Sequence, residues 1–237
     1  MDVHGSPVEE PLVLKGQEPF GVGGRRSCYV HPLDPSKCVK VLRTDERRTV
    51  RHKKTIIPAK WRREYDNNSH EKRVLEDIER RVGPVMGEHL PRSYGMVPTD
   101  LGPGFVLDLV RDHDGHISRS LRELITVGYP LEKLRASFDE FGGFLSEHLI
   151  LTRKLLDHNL VVSMRPDGPG PMFLIDGLGD PAFIPFSRWI PALGRAKIAR
   201  RIEEAWQRFE SFAESGGVSD ELRRTSSWDQ GFLRHRG

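Results

Sequence analysis

The chain has 237 residues, 37% hydrophobic and 30% charged, which suits one large domain or two small lobes with an ordinary buried core and excludes a disordered chain. A formal net charge of +3 is too small to argue nucleic-acid binding, and Cys28 and Cys38 lack CxxC or His-rich surroundings, so neither a disulfide framework nor a zinc site is indicated. The first residues lack a basic segment followed by an apolar one, and no stretch approaches about 18 consecutive apolar residues, so a cytoplasmic protein with no membrane span is expected.

Residues 1–15 read as a flexible tail. In FGVGGRRSCYVHPLDPSKCVKVL (20–42) a glycine-rich turn precedes a strand at Ser27–His31, a Pro/Asp turn and a second strand at Cys38–Leu42. Residues 43–63 are densely basic: a solvated loop, or a docking surface for an acidic or phosphorylated partner. Pro58 suits the first turn of a helix running to about Val82. SYGMV (93–97) and GFVLDLV (104–110) read as strand, turn and strand. After Val110 the pattern becomes helical, with a short helix at Leu121–Val127 and a long one over about 131–158. Leu134, Phe138, Phe141, Leu145, Leu149 and Leu156 mark the apolar face of the long helix. Val161-Val162 and Met172–Ile175 flank a Pro/Gly-rich turn, and Asp176 stands directly after the second run. A last helix spans about 194–214, and 215–237 read as a polar tail.

Gly21, Gly23 and Gly24 form a loop between strands of the kind that lies over a nucleotide, its amides turned to phosphate oxygens without Cβ interference. Alone it is as well read as a hairpin turn. Lys40 strengthens the nucleotide reading, because a charge inside the apolar strand VKVL is costly without a partner or an anionic ligand. Glu64 is the expected partner: at 100° per residue it falls about 20° from Leu75 and about 40° from Ile78 on the helix wheel, on the inward face.

Glycine loop, strand lysine, helix glutamate, two strands, helices, a tight loop and then Asp is the order of parts in a protein kinase. The stretches PFGVGGRRSCYVHP, CVKVL, RREY around Glu64, LPRSYGMVPTDLGPGFVLDLVRDHDG, VVSMRP and IDGLGDPAFIPFSRW resemble the YrbL family of PhoP-regulatory-network proteins over about residues 17–210. The resemblance implies an α+β, bilobal, protein-kinase-like fold. Its β-rich front lobe would span 16–110 and its reduced helical back lobe 111–214. It also implies ATP and magnesium as cofactors. Gly21, Gly23 and Gly24 would cover ATP, Lys40 would hold its phosphates while paired with Glu64, Asp108 would end the strand leading to the adenine hinge, and Asp176 would hold magnesium.

A typical kinase catalytic loop reads His-Arg-Asp-Leu-Lys-Pro-x-Asn, in which Asp orients the substrate hydroxyl and Asn binds metal. Aligned on Pro166, the family resemblance sets Ser163 at the Asp, Arg165 at the Lys and Gly168 at the Asn, with Asp167 beside it as a metal ligand after a shift of one place. A serine is a poor proton acceptor at neutral pH, and PDGPGP leaves little length between this loop and Asp176. The implied protein binds ATP and is a weak or inactive phosphotransferase toward a small molecule or protein, in a PhoP/magnesium or envelope-stress network. The alternatives are a non-catalytic pseudokinase acting through its basic surface and a scaffold with no ligand.

Asp112–Ile117 has the acids of a calcium loop but places Ile117 where glycine is required, so a solvated turn is expected. Gly142-Gly143 inside the long helix points to close helix packing.

Overall fold

The computed structural model describes residues 10–43, 67–152, 155–178, 191–218 and 231–237. Its front half is a five-stranded antiparallel sheet in the order β1-β2-β3-β5-β4, built from β1 (Gly21–Val22), β2 (Arg26–His31), β3 (Asp34–Leu42), β4 (Ser93–Val97) and β5 (Gly104–Asp108). Because side chains alternate along a strand, β3 presents two different faces. Val39 and Val41 join Tyr29, Val106 and the fully buried Leu14 in a small outer cluster. Cys38 and Lys40 point the other way, toward α1 (Asn67–Val82) and the main core. Residues 10–15, counted above with the tail, belong to this lobe: Leu12 bridges Thr99, and Leu14 N–H donates to Asp100 Oδ1 at 2.8 Å.

The back half holds α2 (Leu121–Thr126), α3 (Arg135–Glu147), the hairpin β6 (Leu160–Arg165)–β7 (Gly168–Leu174) and α4 (Pro191–Glu214). Ser120 caps α2 by accepting from Glu123 N–H. Phe138 and Phe141 of α3 are fully buried, and Phe138 meets Trp206 and Phe209 of α4. Gly142 is the close contact between these helices, since a Cβ there would lie 3.3 Å from Ile202, whereas one on Gly143 would meet open space. The expected long helix is shorter than its apolar spacing suggests. It ends at Glu147, where Leu149 takes a left-handed φ of 50° and Ile150 N–H closes back on Leu145 O at 2.9 Å. Leu151 and Leu155 continue into the core from irregular chain, so burial persists after the helix stops.

The stretch 160–174 is itself the strand–turn–strand for which the sequence left little length between Ser163 and Asp176: it starts before Ser163, at Leu160. Arg165 pairs with Gly168 across a two-residue connection, Pro166-Asp167. Among the described residues, no helix is long and apolar enough to cross a membrane.

Candidate functional site

The two halves enclose a cavity of about 460 Å³, within the ordinary range for a small-molecule site. The glycine loop, Gly21 to Gly24, forms one wall. Cys28, Cys38, Leu107, Ile117 and Val161 supply apolar lining, and Lys40 and Asp176 supply charge. Asp108 lies at the hinge side, its carboxylate accepting from Arg92 N–H at 2.9 Å and Tyr94 O–H at 2.8 Å. That carboxylate fixes the end of β5.

Lys40 Nζ donates to Glu71 Oε1 and to Ile175 O, each at 2.7 Å. Its observed partner is therefore Glu71, and the expected partner, Glu64, lies outside the described residues. The reason is helical phase. On the expected helix wheel Glu64 and Glu71, seven residues apart, fall on one face, and in the structure Glu71 sits one turn before Leu75 and two before Ile78. The wheel identified the inward face, and the sheet meets it two turns further along.

A second cation completes the cluster. Arg26, at the start of β2, is 7% exposed and bridges the Glu71 and Asp176 carboxylates. Asn68 stitches the same corner, donating from Nδ2 to Lys40 O at 2.9 Å and accepting from Arg26. Burial alone would lower the Arg26 pKa, but Glu71 and Asp176 outweigh it and hold the guanidinium charged. Burial would likewise raise the Asp176 pKa, and Arg26 and Lys40 reverse that, keeping it below the usual carboxylate value. Cys38, buried beside them, has its thiol pushed up to about 12 by burial and is no nucleophile.

The residues aligned with the catalytic loop sit elsewhere. Ser163 is within β6, its Oγ donating to Arg111 O at 2.7 Å. Arg165 and Asp167 are exposed at the hairpin turn, and none of the three lines the cavity. The hairpin register explains this: the chain turns around Pro166-Asp167, so these residues lie at the end of the hairpin remote from Asp176. The segment that does enter the cavity is the turn Asp157–Asn159, where His158 and Asn159 are lining residues and Asn159 O accepts from Ile175 N–H at 2.9 Å, beside Asp176.

Magnesium was expected at Asp176, and the donor set does not fit it. Asp176 Oδ2 accepts from Arg26 and Oδ1 from Gly177 N–H at 2.7 Å. Glu71 gives one oxygen to Arg26 and the other to Lys40. Arg26 and Lys40 thus hold both Glu71 oxygens and Arg26 holds Asp176 Oδ2, so a metal at Asp176 would compete with a guanidinium already in place.

The sequence reading does not single out Arg26, Glu71, Asn159 or the segment 231–237. Arg26 has a signal, since it stands at the third glycine position of G-x-G-x-x-G counted from Gly21. Asn159 has one too, because it directly precedes the apolar run Leu160–Val162 and stands seven places after Thr152, the spacing from His to Asn in the kinase loop. Residues 231–237, counted with the tail, run along the cavity. Phe232 is a buried lining residue, Leu233 pairs with Gly21 of β1, and Arg234 N–H donates to Phe20 O at 2.8 Å.

Comparison with known proteins bears on this arrangement. A protein described as "Uncharacterized protein YrbL" from Escherichia coli K12 is 28% identical over 199 residues, 83% of this chain and 85% of that protein, and one from Shigella flexneri matches equally. A solved kinase domain superposes with a TM-score of 0.43 at 16% identity, over 67% of this chain and 48% of that one. The family model described as "PhoP regulatory network protein YrbL" matches residues 12–210, and the chain belongs to that family.

Proposed function

We propose that this chain is a kinase-like ATP-binding protein of the PhoP regulatory network, and that its cleft serves binding and regulation rather than rapid phosphoryl transfer. One observation carries the reading: Lys40 is held by Glu71 and Ile175 O inside a cavity covered by a glycine loop. A buried lysine so placed presents charge to an anion without meeting the cost of an isolated one. The apolar walls suit a nucleobase. The positions of Ser163, Arg165 and Asp167 outside the cavity support binding over rapid transfer, since the residues aligned with the catalytic loop supply no base there. Its partner in the network is a protein or small molecule.

A thermal melt with saturating ATP tests this, run in parallel on Lys40→Ala. Ligand at about 100 times its Kd adds about 2.7 kcal/mol, a rise of roughly 5–10 °C for a chain of this size. The rise should appear in the wild type and vanish in the variant. No rise in either removes the ATP reading. Turnover of γ-labelled ATP above an Asp176→Ala control would replace the regulatory reading with a catalytic one.

A further inference from the structure

We infer that Arg26 takes the place of the divalent cation in this cleft, so that nucleoside polyphosphates bind here without magnesium. This deepens the ATP reading above and rests on it.

The inference starts from the glycine loop. In the G-x-G-x-x-G pattern the third position is glycine, leaving the space over the phosphates clear of side chains. Here that position carries a guanidinium. Arg26 and Cys28 lie on one face of β2, and Cys28 is paired with Lys40, so Arg26 and Lys40 project from neighbouring strands onto the same side of the sheet. Arg26 reaches Asp176, the acid directly after β7 that a kinase uses to hold its metal, and Glu71, the acid that positions the lysine.

A magnesium ion in such a cleft bridges a protein carboxylate and phosphate oxygens. A guanidinium can do the same, because it has five N–H donors in a planar fork and no acceptor, so one edge faces a carboxylate while another faces phosphate. It differs from a metal in being permanently attached. With Lys40 and Arg26 set against Glu71 and Asp176, the four charges cancel, and a further dication at Asp176 would have to displace Arg26 from Oδ2. A polyphosphate meets no such conflict, since both cations are donors with capacity beyond one partner.

Isothermal titration of the full chain with ATP, in EDTA and in excess magnesium, tests this, with sodium tripolyphosphate as a second probe in EDTA. Wild-type affinity for ATP should be closely similar in the two buffers. Arg26→Gln should bind about tenfold or more weakly in EDTA, the loss of a charge-assisted hydrogen bond, and should recover in magnesium once Asp176 is released. Asp176→Asn removes the acid a metal would need and leaves Arg26 in place, so its affinities in EDTA and in magnesium should stay equal to each other, which keeps the test open if Arg26→Gln fails to fold. Wild-type binding that requires magnesium overturns the inference and leaves the ATP reading standing. Tripolyphosphate binding without ATP binding leaves the Arg26 phosphate site standing and removes the nucleotide. Binding of neither probe in either buffer overturns both.

Discussion

Two arginine–carboxylate sites in this molecule bury their arginines to a similar degree and differ in what surrounds them, the Asp176 side chain of the first being 49% exposed. Arg26 bridges Glu71 and Asp176 at the cavity, with Arg26 and Glu71 side chains 9% and 7% exposed. Arg122 grips Asp157 through Nε and Nη2, each at 2.8 Å, with side chains 12% and 11% exposed. The second is a closed fork, one guanidinium edge against one carboxylate, and neither residue lines the cavity. It pins the turn Asp157–Asn159 to α2. The first is open: two cations share two acids taken from a helix and a strand end, beside a space large enough for a ligand. Burial of the arginine is therefore not what separates the two sites; the cavity beside the first is.

The largest expected effect breaks the open site. Glu71→Ala removes the acceptor from both Lys40 and Arg26 and leaves two buried cations short of a partner. Losing one member of a buried pair costs about 3–5 kcal/mol, so the melting temperature should fall by about 10 °C or more. A loss below about 1 kcal/mol by urea denaturation would mean that water reaches these cations readily.

The closed fork should respond less strongly and be sensitive to pH. Burial alone would raise the Asp157 pKa, but His158 and Arg122 outweigh it and bring it from the ordinary 3.8 to about 2. A folded-state value below the unfolded one means that the acid stabilises the fold fully above about pH 4 and loses that contribution as pH falls toward 2. The shift corresponds to about 2 kcal/mol. Unfolding free energies of wild type and Arg122→Ala from urea denaturation should differ by a part of that at pH 5–6, His158 supplying the rest, and the gap should narrow between pH 4 and pH 2. A gap that holds constant to pH 2 would show that Arg122 acts through packing.

The same contrast explains what was legible in the sequence. The front sheet was, because β2, β3, β4 and β5 carry short apolar runs closed by turn residues, and Lys40 stood out as a charge inside one of them. Its partner was harder, because helical phase repeats every two turns and only the packing of α1 on the sheet selects Glu71. The alignment of Ser163, Arg165 and Asp167 followed a local Pro-containing motif, and the hairpin register places that motif at a turn away from the cleft. Arg26 was invisible to periodicity, since an arginine at a strand start reads as solvated until the tertiary fold brings Asp176 to it. The segment 231–237 was equally hidden, because a Gly-Phe-Leu stretch among polar residues acquires meaning only from the cavity it lines.

That segment gives the smallest expected effect and connects the two sites. Gly231 has a φ of +89°, and a Cβ added there would stand 2.4 Å from the His158 Cβ, next to Asp157 of the closed fork. Two residues on, Leu233 pairs with Gly21 of the glycine loop and donates its N–H to Glu123 Oε2 at 3.2 Å. Gly231→Ala should therefore combine a left-handed backbone penalty of about 1–2 kcal/mol with a clash that the segment can escape only by leaving. Local release of the segment would cap the loss in overall stability at the free energy of docking, so the change should be local. Hydrogen exchange should accelerate at the Leu233 and Arg234 amides, which donate to Glu123 and Phe20, while amides in α3 stay protected. Unchanged exchange at those two amides would mean that the turn at His158 moves instead.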